Sequence, residues 1–315
     1  MTPYFVWCKL LLMNKLEKLA EEFLESLQIE RGCSPLTIRN YRQYLDRFLN
    51  YLSSTLPMVD RPKKINIKMV KKYRMYLANF ADEKDLTLSR ATQSYYLIGL
   101  RSFLRWLNKN DYRSLAPEKI DLPKVDVQSL KFLNREQVER LLGAPRLSSK
   151  TGLRNKAILE ILFSTGLRVS ELVKLNRGQI DLERREFGVI GKGRRPRVVF
   201  LSKKAIEWLK KYLNSREDDD KSLFIRYSGK GESMRLTARS VQRIVKKYGQ
   251  LCRLPIEVTP HVLRHSFATD LLMAGADLRS VQEMLGHKNI STTQIYTHVT
   301  DKHLKETHEK YHGTG

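Results

Sequence analysis

All seven histidines fall between His261 and His312, so every imidazole of the chain sits in its last fifth. His261 and His265, four residues apart, share one helix face and have the spacing of a zinc pair. That chemistry wants a glutamate directly after the first histidine; Val262 stands there, and Arg264 would repel a cation. No metal or other cofactor is expected. An anion suits the same residues. Arg264 follows His261 by three, hence on the same face, and a guanidinium fork beside an imidazole donor can cradle phosphate oxygens. A further donor, Arg168, stands in TGLRVSEL at 165–172. There Gly166 breaks a buried helix, Ser170 can cap the next, and Glu171 lies one turn on, placed to orient a guanidinium. A capped helix carrying a surface arginine explains that stretch equally well.

The composition also points to an anion. The 315 residues carry 58 Lys+Arg against 34 Asp+Glu, a formal charge of +24, with a pI near 9.9. The surplus is not a tail: residues 1–120 hold 21 basic and 12 acidic side chains, and the remainder hold 37 and 22. Two basic parts suit two surfaces along one long polyanion, and duplex DNA offers one charge per ~1.7 Å of axis. No stretch nears the ~20 apolar residues that span a bilayer, so membrane insertion is not expected. The apolar run from Tyr4 to Met13 lacks a basic leader and a cleavage site and is broken by Lys9, so residues 1–13 read as an appendage rather than an export signal. Three cysteines, Cys8, Cys33 and Cys252, have no paired spacing, which argues for a reducing, cytoplasmic compartment.

The elements that must position the candidate side chains are mostly helical. Leu16, Leu19, Ala20, Phe23, Leu24 and Leu27 recur at three- and four-residue steps, one buried helix face. Ser34 and Pro35 open a second helix. Similar patterns predict helices over 68–80 and 89–108, the latter capped by Ser89 or Thr87. Residues 14–116 thus form an all-helical bundle, and 117–130, with Pro123 and no helical period, read as a linker. In the second domain, 131–315, Asn134 caps a helix and 154–164 forms a buried one. Phe187–Ile190 and Arg197–Leu201 flank GKGRRP at 191–196 as a β-hairpin with a basic turn. Helices resume over 202–214, 237–250, 261–274, 278–285 and 291–299. The acidic run 217–220 reads as a solvated loop. The expected fold is mainly α with a small β-sheet: an N-terminal helical bundle and a C-terminal α+β domain.

Four segments in order, TGLRVSEL at 165–172, HVLRHSFAT at 261–269, LGHK at 285–288 and STTQIYTH at 291–298, resemble the catalytic boxes of the tyrosine recombinases, the phage-integrase family. LLMAGAD at 271–277 and VQEML at 281–285 are most similar to its Xer-type branch. GCSPLTIRNY at 32–41 and LRSF at 100–103 resemble its SAM-like core-binding domain. The resemblance implies Tyr296 as nucleophile, Arg168, Arg264, His261 and His287 around the scissile phosphate, and Lys192 as acid for the leaving group. It implies supporting roles for Glu171 and His265. The implied reaction cuts and rejoins DNA through a 3′-phosphotyrosine and a Holliday junction, without metal or ATP. The implied partners are two duplexes with an inverted-repeat core site, bound by a homotetramer or heterotetramer. A cell-division DNA translocase is a further partner the Xer branch allows. The tail after Tyr296 looks like the family's helix that docks on a neighbouring subunit.

The physics of phosphoryl transfer fits this set. Attack puts extra charge on the non-bridging oxygens, and preorganised guanidinium and imidazole donors stabilise that state more than the ground state. The ester intermediate keeps its bond energy, so a second strand's hydroxyl can reverse the attack. Chromosome or plasmid dimer resolution is the expected role, with an integrase of a phage, plasmid or transposon as the alternative. A non-catalytic regulator is a remoter one, because 278–296 alone reads as a helix-turn-helix, and a tyrosine topoisomerase keeps the chemistry with another product. Arg42, Lys71, Arg90, Arg101, Arg105, Arg239 and Arg243 are the candidate DNA contacts, against the plainer reading of solvated helix faces.

Overall fold

Polar side chains one residue ahead of each apolar stripe start the helices, as a computed structural model of the chain shows. It describes residues 14–81, 87–123, 131–191, 196–228 and 234–286. The chain divides into two compact units, Met1–Val127 and Gln128–Gly315. In the first, α1 (Lys15–Ile29) begins on a capping box: Glu17 N donates to Asn14 Oδ1 at 3.0 Å, and Asn14 N to Glu17 Oε2 at 2.9 Å. Ser34 caps α2 (Pro35–Thr55) with Pro35 at the first helical position, and Asn66 caps α3 (Ile67–Asn79). Ser89, not Thr87, caps α4 (Arg90–Lys109). The stripes of these helices meet in one core around Phe23, Phe48, Tyr73 and Phe103, the ring of Phe23 lying 5.6 Å from that of Phe103. Pro117–Lys119 form a 3-10 turn where the sequence has no helical period; Pro117 and Ile120 are buried, and Ile120 belongs to that core, so the start of the expected linker is anchored to the bundle.

The second unit is built on one helix buried on every side. A capping box between Asn134 and Gln137 starts α5 (Arg135–Gly143), and Ser149 starts α6 (Lys150–Thr165). Ile158, Leu159, Ile161 and Leu162 of α6 are fully buried. Beyond its exposed first residue Lys150, its charged residues Arg154, Lys156 and Glu160 are buried too, each with partners: Lys156 Nζ lies 2.6 Å from Glu160 and donates to the Leu142 carbonyl at 2.7 Å, and Arg154 donates to the Ile225 carbonyl at 2.9 Å. After the single turn α7 (Val169–Leu172), strands β1 (Glu186–Ile190) and β2 (Pro196–Phe200) pair antiparallel, Phe187 opposite Val199 and Val189 opposite Arg197. Phe187, Val189 and Val199 face the core. The helices α8 (Lys203–Asn214), α9 (Ala238–Leu251), α10 (Pro260–Met273) and α11 (Leu278–Leu285) complete the unit, with α8 and α10 against α6. Ala268, Leu272, Val281 and Leu285 join α10 to α11 in a small separate cluster.

The mainly helical fold with a small sheet matches the expectation. The acidic run matches only in part: it is a loop with Glu217 and Asp219 exposed, but Arg216, whose side chain is fully buried, binds the Asp218 carboxylate and donates to the carbonyls of Asp220, Ser222 and Leu223. Asp220 in turn accepts from Ser222 N at 2.7 Å. A buried guanidinium needs a counter-charge, and it folds the loop around itself. Among the described residues, no helix is long and apolar enough to cross a membrane.

Candidate active site

Gly166 ends α6 in the left-handed conformation, φ 57°, and a Cβ there would lie 2.5 Å from Phe267 and 3.0 Å from Leu285. Only glycine lets the end of α6 approach α10 and α11 this closely. Arg168 follows as the residue that starts α7, with Glu171 reaching back to it. Arg168 N donates to Glu171 Oε2 at 3.0 Å and Arg168 Nη1 to Oε1 at 2.9 Å. Ser170 therefore lies inside the turn and does not cap it, because the Glu171 carboxylate takes the capping role. The arginine side chain is 25% exposed, so the surface-arginine reading does not hold. Its orientation by Glu171 does.

Glu171 binds a second guanidinium that the spacing did not announce. From β2, Arg197 donates to both carboxylate oxygens, Nη1 to Oε1 at 3.2 Å and Nη2 to Oε2 at 2.8 Å. Burial pushes the Glu171 carboxyl up, but hydrogen bonds from Arg197 and from the Arg168 backbone outweigh it and hold the group below the usual carboxylate range. Arg264, on α10, is buried and donates from Nη1 to the Gly166 carbonyl and from Nη2 to the Leu285 carbonyl, each at 2.5 Å. Arg168 Nη2 reaches the Gly286 carbonyl at 3.4 Å. Arg168 and Arg197 thus share the Glu171 carboxylate while Arg168 and Arg264 share the end of α11, and three guanidinium groups against one carboxylate leave the cluster cationic. It is suited to an anion.

His261 is exposed in the first turn of α10. Partial desolvation, then the charges of Arg264 and Arg168, hold its pKa below the ordinary histidine value, so the ring is neutral at neutral pH. His265 is pushed down to about 4, by burial first and then by His261 and Arg264. Its unfolded value is near ~6.5, so between those limits the unfolded chain takes up a proton that the folded chain refuses. Stability present above pH ~6.5 is therefore expected to fall as the pH drops toward about 4. Melting curves across that range check this, and His265→Asn should flatten the slope.

Lys192, His287 and Tyr296 lie outside the described residues. Of the candidate DNA contacts, Arg42 pairs with Glu21 through a two-pronged ion pair. Lys71, Arg90, Arg105, Arg239 and Arg243 are exposed and Arg101 partly so. Arg101 and Arg105 stand one turn apart on α4, as do Arg239 and Arg243 on α9, and Arg105 lies 3.5 Å from Glu118. Arg197 is the residue that sequence reasoning missed. Its signal is a charge in the inward-facing row of β2, in step with buried Val199 and Leu201.

Residues 131–303 match the Phage integrase family, and residues 20–111 match the Phage integrase, N-terminal SAM-like domain. The chain is 37% identical to the tyrosine recombinase XerC of Pelotomaculum thermopropionicum over 93% of its own length and 97% of that protein's. It is 38% identical to the tyrosine recombinase XerD of Oceanobacillus iheyensis over 94% and 99% of the two lengths. Among solved structures, the XerH site-specific recombinase bound to palindromic difH substrate, a post-cleavage complex, matches with a TM-score of 0.70 at 26% identity. That match covers 92% of this chain and 84% of the other.

Proposed function

The chain belongs to the phage integrase family, as a Xer-type tyrosine recombinase, and from that premise we propose that Arg168, Lys192, His261, Arg264, His287 and Tyr296 carry out its strand cleavage. The observation that supports this most is the convergence of Arg168 and Arg264 on the last carbonyls of α11, just before the chain enters His287. Two guanidinium groups at one point match what a pentacoordinate phosphorus needs on its non-bridging oxygens. In the proposed step the Tyr296 oxygen forms a bond to phosphorus and gives its proton to an imidazole held neutral, as His261 is. The bond to the 5′ oxygen breaks, and that oxygen takes a proton from the Lys192 ammonium. Attack by another strand's 5′-hydroxyl reverses these moves and exchanges strands without ATP.

We further infer that residues 14–116 and 131–315 both bind DNA, with 117–130 as the linker that joins them and 1–13 as an appendage. The palindromic substrate of the XerH complex supports an inverted-repeat site for this chain as well. Two duplexes then call for a tetramer of one chain or of two related ones, acting in the cytoplasm on chromosome or plasmid dimers, with a cell-division translocase as activating partner. Covalent capture tests this. The full chain is incubated with sheared DNA of its source organism in EDTA, denatured, and the protein-linked DNA sequenced. The expected result is one inverted repeat near the replication terminus. A linked site inside a mobile element would overturn dimer resolution in favour of integration, and loss of linkage in EDTA would overturn metal-free chemistry.

A further inference from the structure

Arg197 sits opposite Val189 in the hairpin, and three residues beyond Val189 the sequence reaches Lys192. It is thus at the base of the turn that contains the proposed acid. Its side chain leaves the sheet and takes both oxygens of Glu171, the same oxygens that hold the Arg168 backbone and guanidinium. On another side lies Gly286, φ 65°, where a Cβ would come within 3.2 Å of Arg197 Cδ and Nη1. One side chain rooted in the hairpin therefore binds the Arg168 turn through Glu171 and lies beside the end of α11. Its Nε is buried with no hydrogen-bond partner among the described residues. An unpaired buried donor calls for an explanation, and the two-pronged bond to Glu171 supplies one, since it fixes the guanidinium plane and turns Nε away from every acceptor among the described residues.

We propose that Arg197 is a positioning residue for strand cleavage: through Glu171 it fixes the hairpin that carries Lys192 against Arg168. The proposal rests on the assignment of Lys192 as the acid. Both prongs of Arg197 are committed to Glu171, so it serves the reaction through that carboxylate. Without the bridge the base of the hairpin loses its only ionic tie to the Arg168 turn among the described residues. A displacement of ~1 Å at a reacting group can cost on the order of a hundredfold in rate.

The test uses the full chain and two DNA substrates, one with an ordinary 5′ bridging oxygen and one with sulfur there, which departs without a proton. Arg197→Gln is expected to bind DNA as before, to cleave the oxygen strand about ten- to a hundredfold more slowly, and to recover most of that loss on the sulfur strand. Lys192→Ala, run alongside, should recover likewise, and the double variant should be no slower than Lys192→Ala alone. Equal losses of Arg197→Gln on both strands, while Lys192→Ala recovers, would overturn the role of Arg197. If Lys192→Ala itself fails to recover, the acid assignment falls and takes this proposal with it. Should Arg197→Gln melt below the assay temperature, Arg197→Lys, which keeps the charge but not the fork, is held to the same comparison.

Discussion

Tyr296→Phe is expected to hold DNA with the affinity of the unaltered chain and to form no covalent linkage to it. The substitution removes one oxygen and keeps the ring. DNA affinity in a chain with 58 basic against 34 acidic residues is spread over many phosphate contacts, each releasing counterions, and the loss of a single phenol barely changes that sum. Linkage differs, because in the proposed step the ester bond is made by the oxygen that is gone. The other substitutions considered slow a step, whereas this one removes the atom proposed to react. A gel-shift titration measures the first quantity, and DNA that stays with the protein after denaturation measures the second. Linkage that persists in the variant would move the nucleophile to another of the chain's tyrosines.

The supports of the site were legible wherever the signal is local. Ser34, Ser89 and Asn134 precede their apolar stripes and cap the helices they announce. The largely apolar runs Phe187–Ile190 and Arg197–Leu201 on either side of a basic turn announced the hairpin, though not its register. Arg168 and Glu171 were readable because three residues separate them on one turn. Arg197 was not, since its partner lies 26 residues away and the pairing exists only once the hairpin has folded onto α7. The acidic run misled for a related reason: a solvated loop and a loop wrapped on a buried Arg216 have the same composition. Ser170 misled through its type, because serine is the ordinary cap and Glu171 took that role by reaching back. For Arg197 and Arg216, what the local pattern omits is a charge whose burial is decided by tertiary contact.

Arg264→Lys is expected both to destabilise the second unit and to cut the rate of strand cleavage, and the two effects can be separated. Arg264 is buried and spans two helix ends, with one nitrogen on the Gly166 carbonyl behind α6 and another on the Leu285 carbonyl that closes α11. Both carbonyls lie at the negative ends of helix dipoles, where a cation is favoured. A lysine keeps the charge but is a single point and cannot reach both. One buried carbonyl left unpaired costs about 1–3 kcal/mol, a lowering of the melting temperature by roughly 2–4 °C for each kcal/mol. Catalysis should fall much further. Removing one preorganised donor from a transition state that gathers negative charge costs about a hundred- to a thousandfold, with DNA affinity little changed. Unfolding cannot account for such a loss, because a domain with about 5–15 kcal/mol in hand remains almost wholly folded after losing 1–3. Cleavage measured well below the melting temperature therefore reports the proposed phosphate contact alone. A variant that melts early yet cleaves normally in the cold would take Arg264 off the phosphate and leave it as a strut between two helix ends.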